Sequence, residues 1–159
     1  MGRLLPVFRG LAAVQVGRRY HHPTSRRHRR VRDRVRGSRS LRVYFQVRSH
    51  VDTINVSQLV PVNANTEYDF ECYLKTEKLE SAETPVILIV NAGDDKALTG
   101  STPAPSGNSD WQRIFLSFKT GEKTEAVKVK MVRNSCADSP VCPIFGTVWY
   151  DDFDLKPRK

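Results

Sequence analysis

A chain of 159 residues has the length of one domain, and its net charge of +9 points to nucleic acid until the charge is located. Residues 1–37 carry eleven arginines, no lysine and a single acid, Asp33, whereas residues 38–159 carry fifteen basic and sixteen acidic residues. The body is therefore close to neutral, which excludes a broad phosphate-binding footprint on it. The longest apolar run, "PVILIV" at 85–90, is far short of the roughly 18–20 residues that cross a bilayer.

The first 37 residues, "MGRLLPVFRGLAAVQVGRRYHHPTSRRHRRVRDRVRG", are punctuated by Pro6, Gly10 and Gly17 and then become almost purely basic. Three readings stand. The segment has the arginine-rich, acid-poor composition of a mitochondrial presequence but little serine. It could serve as a basic arm for nucleic acid or an anionic surface. Its usage also switches abruptly, from eleven Arg without Lys to nine Lys with six Arg in residues 38–159. Such a switch favours coding read in the wrong frame, or a misplaced start ahead of a domain cut from a longer protein. Each reading expects a disordered tail, and nucleic acid is expected to meet the chain only there. No convincing signal peptide is present.

From Ser38 onward the pattern has period two. "LRVYFQVR" at 41–48 sets Leu41, Val43, Phe45 and Val47 against Arg42, Tyr44, Gln46 and Arg48. "TEYDFECYLKT" at 66–76 sets Tyr68, Phe70, Cys72 and Leu74 against Glu67, Asp69, Glu71, Tyr73 and Lys75. In "WQRIFLSFK" at 111–119 the apolar face is Ile114, Leu116 and Phe118, and in "AVKVKMVR" at 126–133 it is Val127, Val129 and Met131. This is the alternation of half-buried antiparallel strands. Turn chemistry separates them: "VNAN" at 62–65, "NAGDD" at 91–95, "STPAPSGNSD" at 101–110, "TGEK" at 120–123 and "CADSPVCP" at 136–143. The expected fold is all-β, an antiparallel β-sandwich over residues 38–159, with the tail of residues 1–37 appended.

Cys136 and Cys142 enclose a loop short enough for a disulfide, while Cys72 lies on an apolar strand face and reads as a small core residue. Several chemistries find no support. No glycine-rich phosphate loop occurs, no G-x-S-x-G elbow is present, and the cysteines lack partners at zinc spacing. Glu67, Asp69 and Glu71 stand ~6.5–7 Å apart along one strand face, a separation that overlaps glycosidase carboxylate pairs. The same row is what any polar sheet face produces, and nothing in it raises one carboxyl above the other. The chain therefore reads as non-catalytic.

Taken in order, "SLRVYFQV" (40–47), "LVPVNANTEYDFECYLKT" (59–76), "DWQRIFLSFKT" (110–120) and the closing "GTVWYDDFDL" (146–155) resemble the jelly-roll carbohydrate-binding modules of the family-four/nine type, within the galactose-binding-domain-like sandwiches. The resemblance covers residues 38–156. It implies a non-catalytic accessory domain that binds glycans, often beside other domains of a parent protein, with an extracytoplasmic location and no membrane contact. It also implies that Trp111 is a core residue and that Asp151 or Asp152 could hold a structural calcium. No cofactor is required. Residues 1–37 lack the Asn/Gly-rich turn and Phe-Glu strand with which such modules begin, so on the wrong-frame or truncation reading one or two N-terminal strands are expected to be missing and a sheet edge exposed.

Glycan recognition needs flat apolar faces for sugar rings and planar polar groups for hydroxyls. Extending the alternation turns Tyr44, Tyr73, Phe115 and Tyr150 outward, with Gln46, Arg48, Arg113 and Gln112 as polar companions. It turns Trp149 inward, together with Asp151, Phe153 and Leu155. The alternative from another class is a structural or protein-interaction sandwich whose face or edge docks a neighbouring domain.

Overall fold

The computed structural model describes residues 14–18, 39–47, 53–137 and 141–158, with side-chain environments for 40–46, 56–137 and 141–158. Nine strands run through them: β1 (Val14–Arg18), β2 (Arg39–Val47), β3 (Thr53–Pro61), β4 (Glu67–Glu80), β5 (Val86–Asn91), β6 (Ala97–Gly100), β7 (Gly107–Lys119), β8 (Ala126–Val132) and β9 (Ile144–Pro157). No helix occurs among the described residues. The strands form a sheet of five in the order β1-β2-β9-β4-β7 and a sheet of four in the order β3-β8-β5-β6. All pairings are antiparallel. β1 lies against β2 with Val14 opposite Val43. The remainder of the Arg-rich segment, with its expected disorder, lies outside the described residues, as does Arg48.

The period-two pattern becomes the sandwich. Leu41, Val43 and Phe45 of β2, Phe70, Cys72 and Leu74 of β4, and Val148 and Tyr150 of β9 project from the five-stranded sheet into the core. From the other sheet come Val56 and Val60, Ile87 and Ile89, and Val127, Val129 and Met131. Burying one face of each sheet against the other removes these side chains from water, each worth about 1.5–3 kcal/mol when fully buried. Tyr68 and Phe118 stack at 5.8 Å between ring centroids where β4 meets β7.

The loop expected over 101–110 is shorter than its composition suggests, because β7 begins at Gly107. Asn108 and Ser109 explain the difference. The Lys78 amide donates to Asn108 Oδ1 at 2.8 Å, and the Thr76 amide donates to Ser109 Oγ at 3.0 Å. Two turn-forming side chains thereby carry the pairing across an irregular stretch of the β4–β7 ladder.

In the connection between β8 and β9, Cys136 and Cys142 are joined in a disulfide with a Cα–Cα distance of 5.5 Å. The buried guanidinium of Arg133 fastens that loop to the end of β4, donating to the Cys142 carbonyl at 2.7 Å and to Ser81 Oγ at 3.2 Å. Next to it, β9 and β4 approach through a double irregularity. Lys78 has φ 49° and Gly146 has φ 100°, and Lys78 and Leu79 together oppose Gly146. A Cβ on Gly146 would collide with the backbone of Lys78. Gly146→Ala is therefore expected to cost about 3 kcal/mol, combining left-handed strain with the steric clash. Urea unfolding checks it, and a midpoint equal to the parent's would show that the two strands can part locally.

Candidate functional site

The outer face of the five-stranded sheet collects most of the residues selected from the sequence. Pairing fixes their rows. Arg42 of β2 stands opposite Trp149 of β9, which stands opposite Lys75 of β4. Tyr44 stands opposite Thr147, and Tyr73 lies between Asp151 of β9 and Arg113 of β7. Glu71 lies between Asp154 and Phe115.

These rows place four aromatic residues on one diagonal. Tyr44 on β2, Trp149 on β9, Tyr73 on β4 and Phe115 on β7 are each displaced one strand across and two residues along, always in the same direction. A diagonal step of this kind spans about 8 Å, so the track runs about 24 Å across the sheet. Tyr44 and Phe115 at its ends are 39% and 47% exposed, and Trp149 and Tyr73 between them are half-buried.

Planar cations and an amide complete the surface. The Arg42 guanidinium lies over both Tyr44 and Trp149, at 5.5 and 5.1 Å from their ring centroids. Gln46 Nε2 donates to the Tyr44 hydroxyl at 2.6 Å, which holds that ring in place. Arg113 lies 4.9 Å over Phe115 and donates to Glu71 Oε2 at 2.5 Å. The guanidinium holds the Glu71 carboxyl below the usual glutamate range and is itself shifted up by the same bond. One row further, Arg158 and the Ser117 hydroxyl hold Asp69 below the usual aspartate range. Glu71 and Asp69 are thus held toward the ionised form, the opposite of what a general acid requires. The Cys72 thiol is buried and pushed up by desolvation and by the nearby Glu71 charge, so it is no nucleophile.

The alternation misplaced two residues of β9. Tyr150, expected outward, is 1% exposed and packs against Phe153 with ring centroids 6.2 Å apart. Trp149, expected in the core, lies outward among the diagonal aromatics. The reason is a bulge: Asp152, at φ 50°, and Phe153 together oppose Cys72, so the strand gains one residue and its two halves point with opposite parity. Phe153 and Leu155 still pack on the core, as expected, but Trp149 no longer shares their face. The signal was present in the sequence. The apolar residues are even-numbered at Val148 and Tyr150 and odd-numbered at Phe153 and Leu155. Trp111, also expected in the core, is half-buried and stands outside the core cluster, on the strand face of Arg113. Arg42 was legible only as a polar-face residue, since its role depends on the two rings beside it.

Asp151 is buried on the outer side of the bulge, where its Oδ1 accepts from the Asp152 amide at 2.8 Å. Calcium takes six to eight oxygens. Among the described residues no group of three or more His, Cys, Asp or Glu gathers as a metal site.

No protein-family model matches the sequence, and no curated protein is similar to it. Solved structures are similar in fold. A carbohydrate-binding module of family 4 superposes with a TM-score of 0.57 at 14% identity, over 78% of this chain and 74% of that one. The first family-22 carbohydrate-binding module of Xyn10C from Paenibacillus barcinonensis, a xylan-binding domain, gives 0.57 at 13% identity, over 97% and 86%. The C-terminal domain of EclA, a sugar-binding protein, gives 0.50 at 17% identity, over 85% and 87%. The chain has the jelly-roll sandwich of carbohydrate-binding modules.

The Tyr150 hydroxyl is buried without a hydrogen-bond partner among the described residues. Tyr150→Phe removes that cost and is expected to raise stability by about 1 kcal/mol, whereas Trp149→Ala is expected to leave the core intact and barely move the melting temperature. Thermal melts of both variants check the reversed assignment of these neighbours; a Trp149→Ala loss as large as that of a core aromatic would restore the original one.

Proposed function

We propose that this chain is a non-catalytic glycan-binding module whose ligand lies along the diagonal of Tyr44, Trp149, Tyr73 and Phe115. The observation that carries this reading is the diagonal itself. Four rings on four neighbouring strands, at even steps of about 8 Å, offer an extended chain successive apolar faces. Gln46 and Arg113 supply planar donors for its hydroxyls. The fold likeness to carbohydrate-binding modules supports the reading, and the xylan-binding module among the similar structures makes xylan the first polysaccharide to try.

Sugar rings present patches of C–H that pack on aromatic faces, and the ring loses little freedom when it binds because it has few rotamers to freeze. Arg42 and Arg113 are already laid over their aromatic partners, so the surface is organised before the ligand arrives. In this reading the acids of the face position arginines and do not act on a glycosidic bond. The module serves as an accessory domain of a parent protein, and nucleic acid enters only through residues 1–37. The Cys136–Cys142 disulfide supports an extracytoplasmic location.

Isothermal titration with xylan and with other neutral soluble polysaccharides tests the site. Replacing Trp149 and Tyr73 together by alanine is expected to weaken binding at least about tenfold while the melting temperature stays close to the parent's. Binding that survives replacement of all four aromatics would sink this site. A chain that binds no glycan, yet associates with another domain through the same face, would favour the structural-module alternative.

A structural calcium at Asp151 or Asp152 is a separate proposal, and sugar binding as described does not need it. Its remaining ligands would come from backbone carbonyls, other loops and water. A melting temperature raised by calcium and lowered again by chelator is the expected sign of the ion, and one indifferent to both would remove it.

A further inference from the structure

Behind the edge strand of the five-stranded sheet lies a cleft that the diagonal does not use. It has a volume of about 300 Å³, against about 30 Å³ for the apolar slot beside Val56 and Phe153. Leu74, Ile114 and Leu116 line it from the inner side of the sheet, and Pro103 and Pro105 line it from the connection between β6 and β7. Gln112, read from the sequence as a companion of the outer aromatics, stands instead opposite inward-facing Leu74; it and Thr102, both exposed, bring an amide and a hydroxyl to the cleft. Arg113 and Phe115 border this cleft as well as the outer face. The end of the aromatic diagonal and the mouth of the cleft are therefore the same two residues.

Three observations decide what the cleft can hold. Its size lies at the lower limit of small-molecule sites, enough for a single sugar ring and too little for a chain. Its lining contains one ionisable group, Arg113, already committed to Glu71, so a neutral occupant fits and a charged one finds no counter-ion. Its outer wall is fixed in advance. The Ala104 amide donates to the Pro85 carbonyl at 2.8 Å and Thr84 Oγ1 donates to the Ala104 carbonyl at 2.5 Å. The Ser101 amide donates to the Ile87 carbonyl at 2.9 Å, and the Ile87 amide donates back to Ser101 Oγ at 2.9 Å. Pro103 and Pro105 have no N–H, so this wall offers no ladder to an added peptide strand.

We infer that the cleft takes a single neutral sugar branching from the glycan on the outer face, where the main chain reaches Phe115 and Arg113. This rests on the proposed glycan-binding face and adds to it a preference for branched over unbranched ligands. Gln112 and Thr102 bond the branch hydroxyls, while the proline rings and Leu116 meet its C–H faces.

The test is titration of the full chain with two matched pairs: xylohexaose with and without a single arabinose branch, and mannohexaose with and without a single galactose branch. The expected result is about tenfold tighter binding of the branched member of a pair. Gln112→Ala, which removes the amide, and Thr102→Trp, which fills the cleft, are each expected to reduce the branched ligand to the affinity of the unbranched one and to leave the latter unchanged. Equal affinities for both members in the parent protein, or a preference that survives Gln112→Ala and Thr102→Trp, overturns the cleft assignment and leaves the outer face standing. No binding of any of the four overturns both readings.

Discussion

The bulge in β9 decides which way this protein faces. β9 is the central strand of the five-stranded sheet, paired on one side to β2 and on the other to β4. Its side-chain parity therefore dictates what lies in the core and what lies on the surface across most of the sheet. With Asp152 and Phe153 set against Cys72 alone, Val148 and Tyr150 can point inward on one side of the bulge while Phe153 and Leu155 point inward on the other. Without the extra residue one of these pairs would have to face water. The same insertion releases Trp149 to the outside, and with it the continuity of the aromatic diagonal.

A second irregularity, at the other end of β9, serves the same strand. Gly146 accepts the close approach of Lys78 and Leu79, which lets β4 continue past it with Leu79 buried. The extra residue lies in β9 at the first bulge and in β4 at the second, and both increase the local twist of the sheet. They also explain why β4 and β9, at fourteen residues each, keep pairing over nearly their whole length despite unequal counts of residues between contacts.

Electrostatics on the outer face organise side chains rather than attract a charged partner. Arg113 and Glu71 are paired, as are Arg158 and Asp69, at the partly exposed positions where such pairs contribute little to stability. Their effect is positional. Glu71 keeps the Arg113 plane over Phe115, and the paired charges are satisfied within the surface itself. This agrees with the near-neutral composition of residues 38–159 and separates the chemistry of the body from that of the basic tail.

How much was legible in the sequence differs sharply between strands. In β2, β4, β7 and β8 the alternation ran without interruption through each stretch read, so Tyr44, Gln46, Tyr73, Arg113 and Phe115 could be assigned to the outer face from spacing alone. In β9 the alternation was interrupted, and extending it through Asp152 exchanged Trp149 with Tyr150. The apolar parity change recorded the bulge, but only if Phe153 and Val148 were both required to be inward. The sequence by itself thus determined the class of fold and, in the strands whose alternation is unbroken, which residues share a face, because period-two burial is a local property of each strand. Only the tertiary structure decided that Tyr44, Trp149, Tyr73 and Phe115 form one line, and that β7 borders a cleft. Both depend on register between strands distant in sequence, which no single strand encodes.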